Sequence, residues 1–373
     1  MIINFFGDFV TKGSADYRLD QKLTSLLRSA DYNAVNFEAP IQQGLHIKPQ
    51  SKSGPAINQT PEGATWLKKH GFNLFPLANN HIFDYGEVGF KHTLKALTDN
   101  GTFIVGCGNF DTAFAPVWLE KSGIRIAVFS LTELQFGVLH DEWTQKDSIG
   151  CAWINHACVE DNIRIAKNTA DYVIIVAHAG LEGLNVPLPE WRSRYFKLID
   201  CGADVIIGHH PHITQGVDFY HNSPIFYSLG NFAFECPGTP PSWSNGFCIQ
   251  LSFSKKNFDY RVFGTSFHSS NKTISLRKQS EVDSEMQELN SLLKPTHYLP
   301  YIQEACCKWL PGYYNLFSMG GVIHPDKYLF KSILRWLLGR CNKLHLLNNL
   351  QCESHRWTIC RALRQKKKSR ILL

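Results

Sequence analysis

Over its first 210 residues the chain repeats one unit: a short apolar run, a polar turn, then an amphipathic stretch of helix length. Met1–Phe6 reads as a strand ending at Gly7-Asp8, Leu19–Ser29 as a helix, and Ala34–Phe37 as a strand ending at Glu38-Ala39-Pro40. Pro61–His70 carries proline in its first turn and Gly71 after its last, the punctuation of a helix. Leu74–Leu77 is a strand running into Asn79-Asn80-His81, followed by a helix over Gly86–Asn100 and a strand over Phe103–Val105. The pattern resumes with strands at Ile124–Ser130, Tyr172–Ala177 and Val205–Ile207 and helices at His156–Thr169 and Glu190–Cys201. Alternation of this kind predicts an α/β fold with helices on the faces of a layered sheet. Ile213–Tyr220 and Ile225–Ser228 flank a hairpin turn at His221-Asn222-Ser223, and Phe247–Phe253 with Tyr260–Phe267 turn the sheet antiparallel. The polar, aperiodic stretch Ser269–Ser284 reads as a break, dividing the chain into residues 1–268 and a mostly helical extension, 269–373, that holds a helix around Ser284–Leu293.

What the strands end on is more informative than the strands. Asp8, Glu38, Asn80, His178, His210 and His212 each fall where a predicted strand gives way to a loop. In layered α/β folds those ends converge on one rim, where ligands bind. Singly each residue has a plain explanation: Asp8 as a turn or cap residue, Asn79-Asn80 as a turn pair, His81 and His178 as core imidazoles. Jointly they make a mixed oxygen and imidazole set, as a dinuclear site of Mn, Fe or Zn requires. Three histidines within four positions, His209, His210 and His212, sharpen that expectation.

The segments carrying these residues are GDF at Asp8, NFEAP at Glu38, NNHIFDYG at 79–86, VAHAG at 176–180 and GADVIIGHHPH at 202–212. They resemble the CapA family of poly-gamma-glutamate capsule biosynthesis proteins, most specifically along residues 202–234 and overall across about residues 1–265. That family looks like a branch of the calcineurin-like metallophosphoesterases, so the resemblance implies a four-layer α/β/β/α sandwich with the C-terminal helical extension appended. It further implies two divalent metal ions, one on Asp8 and His212, the other on Asn80, His178 and His210, with Glu38 bridging. His81 would serve the leaving oxygen, oriented by Asp84, and Asn36, Glu182 and Asn231 would contact substrate. The sequence departs from ordinary phosphoesterases at Val10, where many carry a histidine, and at Glu38, where an aspartate is usual; Ala179 replaces the family's tryptophan. The expected activity is hydrolysis of a phosphorylated or polyanionic substrate linked to capsule or other envelope polymers. The alternatives are a non-catalytic accessory protein that binds an anionic polymer, and amide hydrolysis at the same metals.

Composition bounds the setting. With 44% hydrophobic and 19% charged residues the chain can build a packed core. The formal charge of +6 is diffuse apart from a tail at Lys366, Lys367, Lys368 and Arg370, so nucleic acid is not an expected partner. MIINFFGDFV has no export-signal pattern and no run of about 18 apolar residues occurs, so a cytoplasmic protein is expected. The 11 scattered cysteines, without a CxxC pair, are read as reduced. Within a basic-apolar stretch from Asp326 to Leu350, Lys327, Lys331 and Arg335 recur every four residues among leucines and aromatics. That basic helix could dock on the main domain, the preferred reading, or lie peripherally on an anionic membrane.

Overall fold

The computed structural model describes residues 1–42, 44, 46–140, 147–318 and 343–371. Chain order begins β1 (Ile2–Val10), β2 (Arg18–Leu19), α1 (Gln21–Arg28), β3 (Tyr32–Phe37), α2 (Pro61–Lys69), β4 (Leu74–Pro76), α3 (Gly86–Leu97) and β5 (Phe103–Val105). These helices have local reasons to start and stop. Asp20 caps α1 by accepting from the Leu23 N–H at 2.6 Å, and Pro61 begins α2 at a position whose N–H needs no partner. Gly71 follows α2 with φ 87°, a left-handed exit that glycine takes without a Cβ clash.

After β6 (Cys107–Gly108) and the single turn α4 (Phe110–Ala113) come β7 (Val117–Lys121), β8 (Ile124–Thr132), β9 (Val138–Leu139), β10 (Gly150–Ala152), α5 (Cys158–Lys167), β11 (Tyr172–His178), α6 (Pro189–Asp200) and β12 (Val205–His209). β13 (Val217–Tyr220) and β14 (Ser223–Phe226) form the expected hairpin, with His221 and Asn222 at φ 48° and 67° in the two-residue turn. β15 (Asn231–Phe234), β16 (Asn245–Phe253), β17 (Phe258–His268) and β18 (Thr273–Leu276) follow, then α7 (Gln279–Leu292) and α8 (Pro295–Ser318). Two further helices, Lys343–Gln351 and Glu353–Ile371, complete the described chain. The stretch read as an aperiodic break thus holds β18 and the start of α7. β18 pairs antiparallel with β17 and parallel with β2, and the edge of a sheet imposes order on a short segment that has no periodicity of its own.

Three sheets result. The nine-stranded sheet runs β2-β18-β17-β16-β1-β3-β4-β5, with β15 also on β1; the six-stranded sheet runs β13-β14-β12-β11-β8-β7; β6, β10 and β9 form a small third. β1, β3, β4 and β5 are parallel, as are β8, β11, β12 and β14. One apolar core holds residues from both large sheets: Ile3, Phe5, Phe247 and Ile249 from the first, Ile126, Val128, Ile174 and Ile207 from the second. On the other side of the first sheet, Phe6, Val35 and Phe75 pack with Leu23, Leu27, Leu67 and Phe90 of α1, α2 and α3. On the other side of the second, Ala127, Val173 and Ile206 pack with Ile163, Trp191 and Leu198 of α5 and α6, and with Ile302 and Ala362 from the helical C-terminal part. No helix among the described residues is long and apolar enough to cross a membrane. The basic stretch around Lys327, Lys331 and Arg335 lies outside the described residues.

β12 leaves no room at Gly208, where a Cβ would stand 2.0 Å from the Tyr227 carbonyl oxygen. Gly208→Ala is therefore expected to destabilise the protein by at least the ~1–3 kcal/mol typical of overpacking, seen as a lower urea midpoint. An unchanged midpoint would show that the backbone at 208 yields without cost.

Candidate metal centre

β1 does not stop at Gly7-Asp8, as the sequence suggests, but runs on to Val10. Its register against β3 jumps from Phe6↔Val35 to Asp8↔Asn36, a bulge at Gly7 that re-aims the next side chain. A Cβ at Gly7 would lie 2.2 Å from the Gly230 carbonyl oxygen, so only glycine fits the bulge. Asp8 is thereby fully buried, and its Oδ1 accepts from Asn36 Nδ2 and from His209 Nδ1, both at 2.8 Å. Glu38 follows the neighbouring parallel strand β3 and is also fully buried. Neither of its carboxylate oxygens accepts a hydrogen bond; the nearest imidazole atoms, His178 Nε2 and His212 Nε2, each stand 3.5 Å from Oε1.

The histidines come from the other large sheet. His178 is the last residue of β11; its Nδ1 accepts from Asn36 Nδ2 at 3.2 Å and its Nε2 donates to Asn80 Oδ1 at 2.9 Å. Beyond β12 the turn places His210 at φ 94° and His212 at φ 58°, left-handed conformations that non-glycine residues hold only when their surroundings impose them. His212 Nδ1 donates to Asn231 Oδ1 at 3.0 Å, and its ring stacks on Trp243 with centroids 4.2 Å apart. The Asn231 amide also donates to the His212 and Trp243 carbonyls, while that of Asn36 accepts from Asn79 and donates to Asp8 and His178. Both asparagines therefore brace the cluster from behind. Glu182 is exposed and lines the adjoining cavity.

His81 lies one residue past Asn80. Its Nδ1 donates to Asp84 Oδ2 at 2.7 Å, the pairing that three-residue spacing suggested. Lys52, which sequence reasoning did not single out, forms a buried ion pair with Asp84 and stands 3.2 Å from His81 Nδ1 and 3.3 Å from the Asn80 carbonyl. It sits in an aperiodic loop that gave no signal. Glu133 was also overlooked, although it ends β8 as the other site residues end theirs; it stands 3.2 Å from His210 Nε2. Around Asn80, His81 and His210 opens a cavity of about 220 Å³, lined also by Lys52, Ser53, Gln135, Glu182, Asn348, Asn349 and His355.

The buried carboxylates and imidazoles shift one another's protonation. Burial, then the neighbouring Asp8 charge, pushes the Glu38 carboxyl well above its ordinary range. Burial would do the same to Asp8, but His209 and His212 outweigh it and hold that carboxyl well below the usual range. Burial and the nearby His210 push His178 well below the usual imidazole range, keeping it the neutral base that metal ligation requires. Burial and Lys52 likewise lower His81. Two triads, Glu38-His210-His212 and Asp8-Glu38-His178, each offer ligand atoms within 4.8 Å of one another, and Glu38 belongs to both. The two groups overlap further, since Asp8 Oδ2 also stands 3.3 Å from His212 Nδ1 and Asn80 Oδ1 stands 2.9 Å from His178 Nε2. A shared carboxylate with unused lone pairs and surrounding imidazoles fits a pair of divalent ions.

The chain is 31% identical over 244 residues to the capsule biosynthesis protein CapA of Bacillus anthracis, covering 61% of this chain and 56% of that one. It is 32% identical over 228 residues to the PGA biosynthesis protein CapA of Bacillus subtilis, covering 61% and 59%. A probable polyglutamine synthesis accessory protein of Mycobacterium tuberculosis is 28% identical over 186 residues, 47% of each chain. The matched regions thus span little more than half of these relatives or less. Residues 3–236, which hold every residue of both triads, match the family described as bacterial capsule synthesis protein PGA_cap, and the chain belongs to that family.

Proposed function

We propose that this protein is a divalent-metal-dependent hydrolase whose substrate is a phosphoester, linked to capsule or another anionic envelope polymer. The observation that carries the reading is Glu38: a fully buried carboxylate with no hydrogen-bond donor, beside a second carboxylate and among imidazoles delivered by another sheet. A buried charge without a partner is costly, and cations shared with Asp8 would remove the cost. The family assignment supports the link to capsule polymers, and the shared core between the large sheets, with helices on their other faces, supports a four-layer α/β/β/α arrangement.

Asp8, Glu38, Asn80, His178, His210 and His212 would hold two ions, of Mn, Fe or Zn. Such ions, when bound, acidify water and neutralise charge on a phosphoryl group. The chain's own residues do the rest. His81 lines the cavity, and with Nδ1 committed to Asp84 its Nε2 is the atom left to hold or deliver a proton at the leaving oxygen. Lys52 adds positive charge beside it and pairs with Asp84, the residue that holds His81 Nδ1. Among the described residues, Ser53 Oγ, Asn348 Oδ1 and Asn349 Nδ2 are buried polar atoms without hydrogen-bond partners, in residues that line the same cavity, and they suit the uncharged part of a substrate. A second reading, a polymer-binding accessory without turnover, is favoured by the mycobacterial relative, which is named a probable polyglutamine synthesis accessory protein.

Protein purified without chelator is expected to carry about two metal ions per chain and to cleave phosphomonoester or phosphodiester substrates, with His210→Ala abolishing turnover. Metal without turnover on phosphoester or gamma-glutamyl substrates favours the accessory reading, and gamma-glutamyl cleavage alone moves the chemistry to amides. A chain that takes up neither Mn nor Zn would refute the ligand set.

Glu38 also makes a prediction that does not involve catalysis. Its folded-state carboxyl lies above the ordinary range, so the metal-free protein loses stability as pH rises through that range. Glu38→Gln removes the penalty. At neutral pH the metal-free variant is expected to be more stable than metal-free wild type by about 1–3 kcal/mol, in urea unfolding, while binding metal more weakly. The advantage should shrink as pH falls and the wild-type carboxyl takes up its proton. A less stable variant at neutral pH would contradict the frustrated-carboxylate account.

A further inference from the structure

The C-terminal helix Glu353–Ile371 lies beyond the family match, yet its first turn reaches the metal-type site. Glu133, fully buried at the end of β8, connects the two. Its Oε1 stands 3.2 Å from His210 Nε2 and accepts from Gln135 Nε2 at 3.0 Å, while its Oε2 accepts from Ser354 Oγ at 2.5 Å. Ser354 Oγ itself accepts from Trp191 Nε1 at 2.8 Å, and an indole nitrogen only donates. The serine hydroxyl therefore has its own proton to give, and Glu133 receives it. The neighbouring Glu353 fixes the same segment. Its Oε2 accepts from the Leu134 backbone N–H at 2.7 Å, and its Oε1 from Trp153 Nε1 at 2.7 Å and Asn155 Nδ2 at 3.0 Å.

The relay has a consequence for His210. A carboxylate 3.2 Å from Nε2 favours, for the neutral ring, the tautomer with its proton on Nε2 and its lone pair on Nδ1. Nδ1 is buried and has no hydrogen-bond partner among the described residues, and His210 is a member of the Glu38-His210-His212 triad. A carboxylate behind a histidine is the usual means of setting which ring nitrogen faces a metal.

We propose that the C-terminal helix is a working part of the metal centre: Ser354 is a positioning residue that holds Glu133 and, through it, keeps His210 in the Nε2-protonated form that presents Nδ1 to a divalent cation. The proposal rests on the metal-binding reading above. It differs from a plain stapling role for the helix, which would affect stability and leave metal affinity alone.

The test is calorimetric titration of Mn²⁺ into the full-length, chelator-stripped chain, comparing wild type with Ser354→Ala, Ser354→Thr and Glu133→Gln. Urea midpoints of the metal-free proteins are measured in parallel. Ser354→Ala is expected to weaken Mn²⁺ binding roughly tenfold, the low end for outer partners of metal ligands, and Glu133→Gln to weaken it further. Ser354→Thr, which keeps the hydroxyl, is expected to restore affinity. Wild-type affinity in Ser354→Ala overturns the proposal, as does a loss that follows the metal-free midpoint rather than the presence of the hydroxyl. No Mn²⁺ binding by wild type would instead remove the metal reading itself, and this proposal with it.

Discussion

Asp8 and Glu38 place two carboxylates in the interior on adjacent parallel strands, and the surrounding structure is organised around that unfavourable fact. Burying one charged group without a partner costs several kcal/mol, and a second of the same sign close by makes it worse. The chain answers asymmetrically. Asp8 is given Asn36, His209 and the backbone N–H of His210, whereas Glu38 is given no donor. Such an arrangement is hard to account for as a device for stability. It makes physical sense as a site whose remaining coordination is meant for positive charge.

The two large sheets contribute different chemistry to that centre. β1, β3 and the loops after β3 and β4 bring carboxylate and amide oxygens and the His81-Asp84-Lys52 group, while β11 and the turn after β12 bring the imidazoles. Because parallel strands carry their C-terminal ends to one edge, each sheet presents its polar residues on a single rim. The apolar core shared by the sheets sets the separation of the rims, so packing at Ile3, Phe5, Ile174 and Ile207 controls distances between ligands that belong to different sheets. The left-handed conformations at His210 and His212 show how closely the last approach is determined.

The C-terminal part, outside the region that defines the family, is joined to this arrangement and not merely attached to it. Trp357 packs edge-on against Trp191, Tyr298 donates to the Pro187 carbonyl, and Asn348, Asn349 and His355 line the cavity beside His81 and His210. A cluster of side chains held on rigid strands can in this way acquire a wall from helices that lie beyond the family match, and those helices alter what reaches it.

Much of this was legible in the sequence, for identifiable reasons. Strand and helix periodicities, Pro61 and Gly71 around α2, and the His221-Asn222 turn are local signals, and local chemistry decided them. The polar residues at strand ends identified the rim because chain direction in a parallel sheet makes strand ends neighbours. The errors arise where long-range contacts decide. β18 forms because β17 and β2 offer it hydrogen bonds, and Asp8 stays inside β1 because Gly7 bulges against Gly230. Lys52 and Ser354 joined the site without any spacing rule to announce them; Ser354 meets Glu133 across 221 positions of chain. The sequence by itself determined which residue types could bind metal and that they would share one edge. Only the tertiary structure decided which of them face Glu38, which brace the others, and that the last helix closes the site, because side-chain partnership depends on packing between elements that sequence order keeps far apart.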